Sequence, residues 1–254
     1  MGRSTRVLLA CGIAAAVLPL SAQTGPAPEM LRTDPQLLAL ACAPTLVYEK
    51  PITPMHVTGG QSTLKRVSHA PGDLVTINAG TANGIEIGQE YYVRRLQQDK
   101  GTSTSRKTPA VVRTVGWLKI WAVDRPDMAL ATVTHACETI DIGDYLEPFS
   151  LPQMPAISRE PLKPEKDNYG RIMVGTDRRR AFAKGDFFVL DRGSSQGVTP
   201  GARFVVFRDR NQYQNFLFDL GEAVAVDVKE NSATLQVTLS RDAMFVGDYV
   251  AQRK

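Results

Sequence analysis

Few residues in this chain of 254 residues are equipped for chemistry. Its histidines are His56, His69 and His135, and its cysteines are Cys11, Cys42 and Cys137. No His-Glu-x-x-His pair occurs, and Ser194 and Ser195 lie in a glycine turn where small polar residues are expected anyway, so no catalytic residue is assigned and the chain reads as non-enzymatic. Cys42 and Cys137 are the best-placed donors. Once a leader bearing Cys11 is removed, only these two remain, and an even count in an oxidising compartment favours a disulfide between them. The loop it closes is long enough to contribute about 4–5 kcal/mol in the chain-entropy model. Free thiols are one alternative. The other is a metal site from His135 and Cys137, which share a strand face, with Cys42 as third ligand. Structural zinc takes four protein ligands at closely paired spacings, so we expect neither a metal nor a cofactor.

Glycine spacing invites a phosphate-binding reading, but Gly80, Gly84 and Gly88 do not make the dinucleotide fingerprint, and no Gly-Lys-Ser/Thr follows. A structural role accounts for them better. Gly80 ends a strand, Gly84 takes a positive-φ turn, Ile85 plugs the core and Gly88 opens the next strand. Gly193, Gly197, Val198 and Gly201 repeat the set. Four Gly-Asp pairs place Asp73, Asp144, Asp186 and Asp248 at strand entrances, where Asp makes turns by bonding nearby backbone. A calcium loop needs several oxygen ligands close together, and no such run is present.

Arg94, Arg95, Lys100, Arg106 and Lys107 form one basic cluster, and Arg178, Arg179 and Arg180 with Lys184 another. Both read as solvated loops, the arginine triplet also as a possible contact for anionic headgroups or glycan phosphates. Trp117 and Trp121 share a face of an alternating segment, so they are either buried together or form an aromatic patch for cell-wall glycan.

These residues sit on a duplicated frame. The segment from Gly72 to Gly88 is echoed from Gly185 to Gly201, each glycine 113 positions on. Tyr91, Val93 and Arg95 are answered by Phe204, Val206 and Arg208, and each copy closes on Gly-Asp-Tyr, at Tyr145 and Tyr249. A repeat this long is a duplicated domain rather than a solenoid unit. Short β-branched and aromatic runs bounded by glycine (Leu74–Ile77, 91–93, 116–123 and 129–134; Phe187–Leu190, 204–207, 222–228 and 233–239) read as strands. In the last run Leu235, Val237 and Leu239 should face one way, Thr234, Gln236 and Thr238 the other. We therefore expect an all-β chain with two small barrels or sandwiches in tandem and a short N-terminal helix.

The remaining segments follow. Residues 1–22 carry Arg3, Arg6, an apolar run and a small-residue site after Ala22, the pattern of a secretory signal peptide. A lipid on Cys11 is the lesser alternative, because few apolar residues precede it. Residues 23–50 hold a helix over 35–42, started by Asp34 and Pro35. Residues 51–149 are the first module, 150–168 a Pro-rich spacer that holds the modules apart, and 169–254 the second module. Removing the leader takes the net charge from +4 to +2. That excludes the concentrated basic footprint of a nucleic-acid binder, and no second apolar run is long enough for a transmembrane span.

The pattern Gly-x-x-x-Gly-(Val/Ile)-x-x-Gly between strands, a Gly-x-hydrophobic strand, then Gly-Asp-Tyr resembles the small β-barrel domain at the C-terminus of flagellar assembly protein T. Similar modules occur on bacterial envelope proteins. The resemblance covers about residues 56–149 and 172–252 and implies an envelope-located, non-catalytic assembly role. We accordingly expect a periplasmic or secreted scaffold or interaction protein whose partner is an envelope protein or cell-wall component. A glycan-binding module is the alternative, and an enzyme built on the three histidines with carboxylates a further one.

Overall fold

The computed structural model describes residues 34–49, 51–52, 54–61, 66–98, 109–157, 164–176, 179–209 and 217–253. The expected leader with Cys11, the basic residues Lys100, Arg106, Lys107 and Arg178, and positions 158–163 of the expected spacer lie outside them.

Asp34 starts the one α-helix among the described residues, α1 (Pro35–Ala41), by accepting the Gln36 N–H at 2.8 Å, and Pro35 sits where its missing N–H costs nothing. Seven residues are too few for an isolated helix, so packing has to hold α1 in place. The chain then makes strand β1 (Thr45–Val47), earlier than the glycine-bounded pattern begins.

The first copy of the repeat forms β2 (Val57–Gly60), β3 (Ser68–His69), β4 (Leu74–Ile77), β5 (Glu90–Gln98), β6 (Ala110–Ala122), β7 (Ala129–Ala136), β8 (Ile140–Asp141) and β9 (Tyr145–Pro148). The second forms β10 (Pro164–Gly175), β11 (Ala181–Phe182), β12 (Phe187–Leu190), β13 (Arg203–Asp209), β14 (Leu217–Val228), β15 (Ala233–Ser240), β16 (Met244–Phe245) and β17 (Tyr249–Arg253). The orders correspond strand for strand: β2-β4-β7-β6-β5-β9 in the first sheet, with β1 added on β6, and β10-β12-β15-β14-β13-β17 in the second. The fold is all-β.

Closure differs between the copies. β10 is long enough to pair with both β12 and β17, which closes the second sheet into a barrel. Its counterpart β2 has four residues, so the first sheet curls and is joined to β9 only by the His56–Tyr145 bridge and a few backbone bonds. Among these are Val57 N–H to Asp144 O at 2.9 Å and Gly143 N–H to Val57 O at 2.8 Å. Each sheet wraps its own apolar core, around Ile77, Leu118 and Ile120 in one copy and Phe188, Leu190 and Leu235 in the other.

The glycine series does what the spacing predicts. Gly84 and Gly197 have φ of 73° and 82°, and Ile85 and Val198 are buried. Gly80 and Gly193 are in extended backbone, and their requirement is space. A Cβ on Gly80 would strike the Arg125 carbonyl, and one on Gly193 the Lys229 carbonyl. Thr81 and Ala82 donate to the Arg125 and Pro126 carbonyls, and Ser194 and Ser195 to those of Lys229 and Glu230. The glycine turn is thus the strap that ties each sheet to its β6–β7 or β14–β15 hairpin.

Two expectations are corrected. Leu239 does not share the buried face of Leu235 and Val237. The register slips between Glu222–Leu239 and Ala223–Val237, Thr238 is the extra residue, and Leu239 stands half out of the core. A bulge inverts the alternation beyond it. The segment 150–168 is not simply a spacer holding two modules apart. Residues 164–168 already belong to β10. Moreover, α1, β1 and Met154 pack against the second barrel: Leu40 and Ala43 meet Phe187 and Val226, and Leu46 with Val111 meets Met173, Val174 and Val189. Thr234 and Ser232 donate to the Pro44 and Leu46 carbonyls at 3.3 and 3.4 Å. The apolar residues of 38–47 need a surface to bury against, and the seam between the modules supplies it.

Candidate functional site

The repeated bulge is where the first copy departs from its frame. In β7 the register slips between Trp117–His135 and Leu118–Val133, so Thr134 is the extra residue and its hydroxyl donates to the Trp117 carbonyl at 3.2 Å. Thr238 does the same to Glu222 at 3.2 Å. A Cβ on Gly116 would strike the His135 carbonyl, and one on Gly221 the Leu239 carbonyl, which explains a glycine opposite each bulge. Just beyond, Cys137 and Glu138 both donate to Val115 O, as Arg241 and Asp242 donate to Leu220 O. One backbone device therefore carries Trp117, His135 and Cys137 in the first copy and Glu222, Leu239 and Arg241 in the second.

On this platform the His135 ring lies over Trp117, centroids 4.2 Å apart and planes 17° from parallel. Tyr92 meets Trp117 edge-on at 6.2 Å, and Phe149 packs against both rings, 5.8 Å from Trp117 and 4.6 Å from Tyr92. Cys42, at the end of α1, is bonded to Cys137 with the Cα atoms 5.7 Å apart, within the range a disulfide spans. The Cys42, His135 and Cys137 donor atoms lie within 4.8 Å of one another. Burial holds the His135 pKa below its ordinary value, and burial pushes the Tyr92 hydroxyl up to about 12 while it donates to the Ser150 carbonyl at 2.7 Å. Beside this cluster a groove of about 180 Å³ runs between the modules, lined by Leu40, Tyr92, Arg94, Val226 and Lys229. Its cations are engaged: Arg94 with Glu147 at 3.2 Å and Lys229 with Asp227 at 3.4 Å.

No family model and no curated protein matches the chain.

The other sequence candidates scatter. His56 lies at the β2–β9 junction and His69 is buried on β3. Among the described residues no carboxylate joins a histidine in a donor cluster. All four Gly-Asp carboxylates accept a backbone N–H three residues back: Asp73 from Ala70 and Asp186 from Ala183, each at 2.9 Å, Asp144 from Asp141 at 2.8 Å and Asp248 from Phe245 at 2.6 Å. The spacing did not disclose a second task. Arg95 grips Asp144 through two nitrogens at 2.7 Å, and Arg208 grips Asp248 at 2.7 and 2.6 Å. The matched arginines of the two copies were the available signal. Of the arginine triplet, Arg179 is exposed and paired with Asp186 at 3.0 Å, and Arg180 is exposed.

Trp117 and Trp121 do not share a face. Trp117 is 7% exposed and Trp121 59%. Trp121 is itself the extra residue of a second bulge, between Ile120–Ala131 and Ala122–Leu130, and Val226 is its counterpart between Ala225–Leu235 and Asp227–Thr234. In the second copy that position is covered: Val226 lies under Leu40 and Ala43, and the Ala156 carbonyl sits so close over Gly201 that a Cβ there would strike it. In the first copy no described residue covers the equivalent face. Gly88, the counterpart of Gly201, has nothing within 4 Å of its Cβ direction, and Ile87 beside it is 70% exposed.

Proposed function

We propose that the protein is a non-enzymatic scaffold or interaction protein of the bacterial cell envelope, working in the periplasm or outside the cell, and that it meets its partner through the face around Trp121 and Ile87. One observation carries this reading. The same bulged face is built twice, covered by the chain's own apolar segment in one copy and, among the described residues, uncovered in the other. Trp121 and Ile87 are both exposed there, and a contiguous apolar patch on a monomer marks a binding site. A disulfide fits an oxidising compartment, and no helix among the described residues is long and apolar enough to cross a membrane. The resemblance of the glycine pattern to an assembly-protein barrel points the same way. The glycan reading asks for two solvent-facing indoles in one patch, and Trp117 is buried, so we do not carry it.

Pull-down from the native envelope tests the proposal, with the purified protein and a Trp121→Ser/Ile87→Ser variant as baits. A defined partner retained by the first and lost from the second is expected. Identical recovery by both baits sinks the assigned face, and no specific recovery by either sinks the scaffold reading.

A further inference from the structure

Cys42, Cys137 and His135 meet in one spot although they come from two separate elements, the end of α1 and the bulged end of β7. The bulge does not need them. The second copy builds the same backbone with Leu239 and Arg241 at the positions of His135 and Cys137, and folds as well. What the first copy adds is therefore a donor set: two sulfurs and an imidazole, within 4.8 Å of one another, in a half-buried setting lined by Ala41, Tyr92, Trp117 and Phe149. The stack on Trp117 limits rotation of the His135 ring, and a fixed imidazole is the better ligand.

We propose that in the dithiol form of the protein Cys42, Cys137 and His135 bind one soft monovalent metal ion, copper(I), and that the disulfide is the closed state of this site. Soft thiolates suit copper(I) and zinc over harder cations, and the apolar neighbours limit solvent access. Two thiolates and a neutral imidazole offset the single positive charge with one negative charge to spare. Zinc fits less well, since its structural sites take four protein ligands and the cluster offers three among the described residues.

A dithiol reductant can open the site. One of its thiolates attacks a sulfur of the Cys42–Cys137 bond to give a mixed disulfide, and its second thiolate then displaces the protein sulfur. The S–S bond breaks, two electrons and two protons pass to the cysteines, and the reductant leaves as its own disulfide. Copper(I) then displaces the two thiol protons. This site is independent of the Trp121 face and of the scaffold reading.

Trp121→Phe leaves Trp117 as the sole indole, because the chain has two tryptophans. Trp117 fluorescence in that background then reports on the cluster itself. The full chain is reduced with a phosphine, freed of it under argon and titrated with copper(I) supplied as its acetonitrile complex. Quenching that saturates at one ion per chain is expected in the reduced protein and none in the oxidised protein. His135→Ala should weaken the affinity about tenfold or more, and Cys42→Ser should abolish stoichiometric binding. Near-UV circular dichroism checks the reduced fold; if reduction erodes the native spectrum, copper(I) must restore it. Four results overturn the proposal: no quenching in the reduced protein, equal quenching in the oxidised or Cys42→Ser protein, an unchanged affinity in His135→Ala, or tighter binding of zinc(II) than of copper(I).

Discussion

Glycine means two different things in the strap of each module. At Gly84 the backbone has φ of 73° and open space where a side chain would go, so Gly84→Ala should cost about 1 kcal/mol, the left-handed penalty alone. At Gly80 the backbone is ordinary but the Arg125 carbonyl occupies the Cβ position. Gly80→Ala should cost more, about 2–3 kcal/mol, because the strap must lift off its hairpin. Urea titration of the two variants checks the order, and equal losses would refute the close-approach account. His135 gives a pH dependence at the same scale. Burial lowers its pKa from 6.5, so the folded state favours the neutral ring. The associated stability is fully present above the ordinary value and fades as pH falls through it toward the lowered one, where the unfolded chain binds the proton more readily. Between about pH 7.5 and about pH 5 the Tm should fall further in the wild type than in His135→Leu, which installs the residue of the second copy. An equal fall in both would rule out His135 as the source.

Short strands closed by duplicated devices set the behaviour of the elements. β9 and β17 both begin after a Gly-Asp pair whose carboxylate is gripped by an arginine from the neighbouring strand, Arg95 on β5 and Arg208 on β13. Asp248 is 7% exposed and Arg208 19%, so Asp248→Asn strands a partly buried cation and should cost about 3 kcal/mol. Asp144→Asn should have a similar effect in the first module, where Asp144 is also buried. Hydrogen exchange of the Tyr249 or Tyr145 amide region should report the loss locally. Protection that stays at wild-type level would show that the turn bonds alone hold the strand. The bulges at Thr134 and Thr238 belong to this scale too. They turn His135 and Leu239 out of the core and create in the first copy the position that the imidazole occupies.

For the whole molecule the decisive contact is the seam. α1 is bonded to the first module through Cys42 and buries Leu40 against Phe187 and Val226 of the second. The disulfide closes a separation of 95 residues, worth about 4–5 kcal/mol in the entropy model. Its loss should also loosen the contact between modules. In calorimetry the oxidised protein should melt in one cooperative transition, and Cys42→Ser in two, with the first module melting at lower temperature. A wild type that already melts in two separated steps would show that α1 does not couple them.

The repeat, the strands β4–β7 and β12–β15, the glycine turns, the helix start at Asp34 and the two cysteines able to pair were legible in the chain, because each rests on local rules: fixed spacing, alternation, positive φ and capping; β1–β3, β8–β11, β16 and β17 were not. The interlocking of the modules, the pairing of Asp144 and Asp248 with arginines, the burial of Trp117 beside the exposure of Trp121, and the approach of His135 to the sulfurs were decided only by tertiary structure. A one-residue bulge reverses a strand's faces without changing its composition, which is why Leu239 and Trp121 defeat simple alternation. The 34–49 segment had to be placed between two sheets before its leucines showed what they cover. Residues far apart in sequence become neighbours through register and closure, and neither is written in any local window of residues.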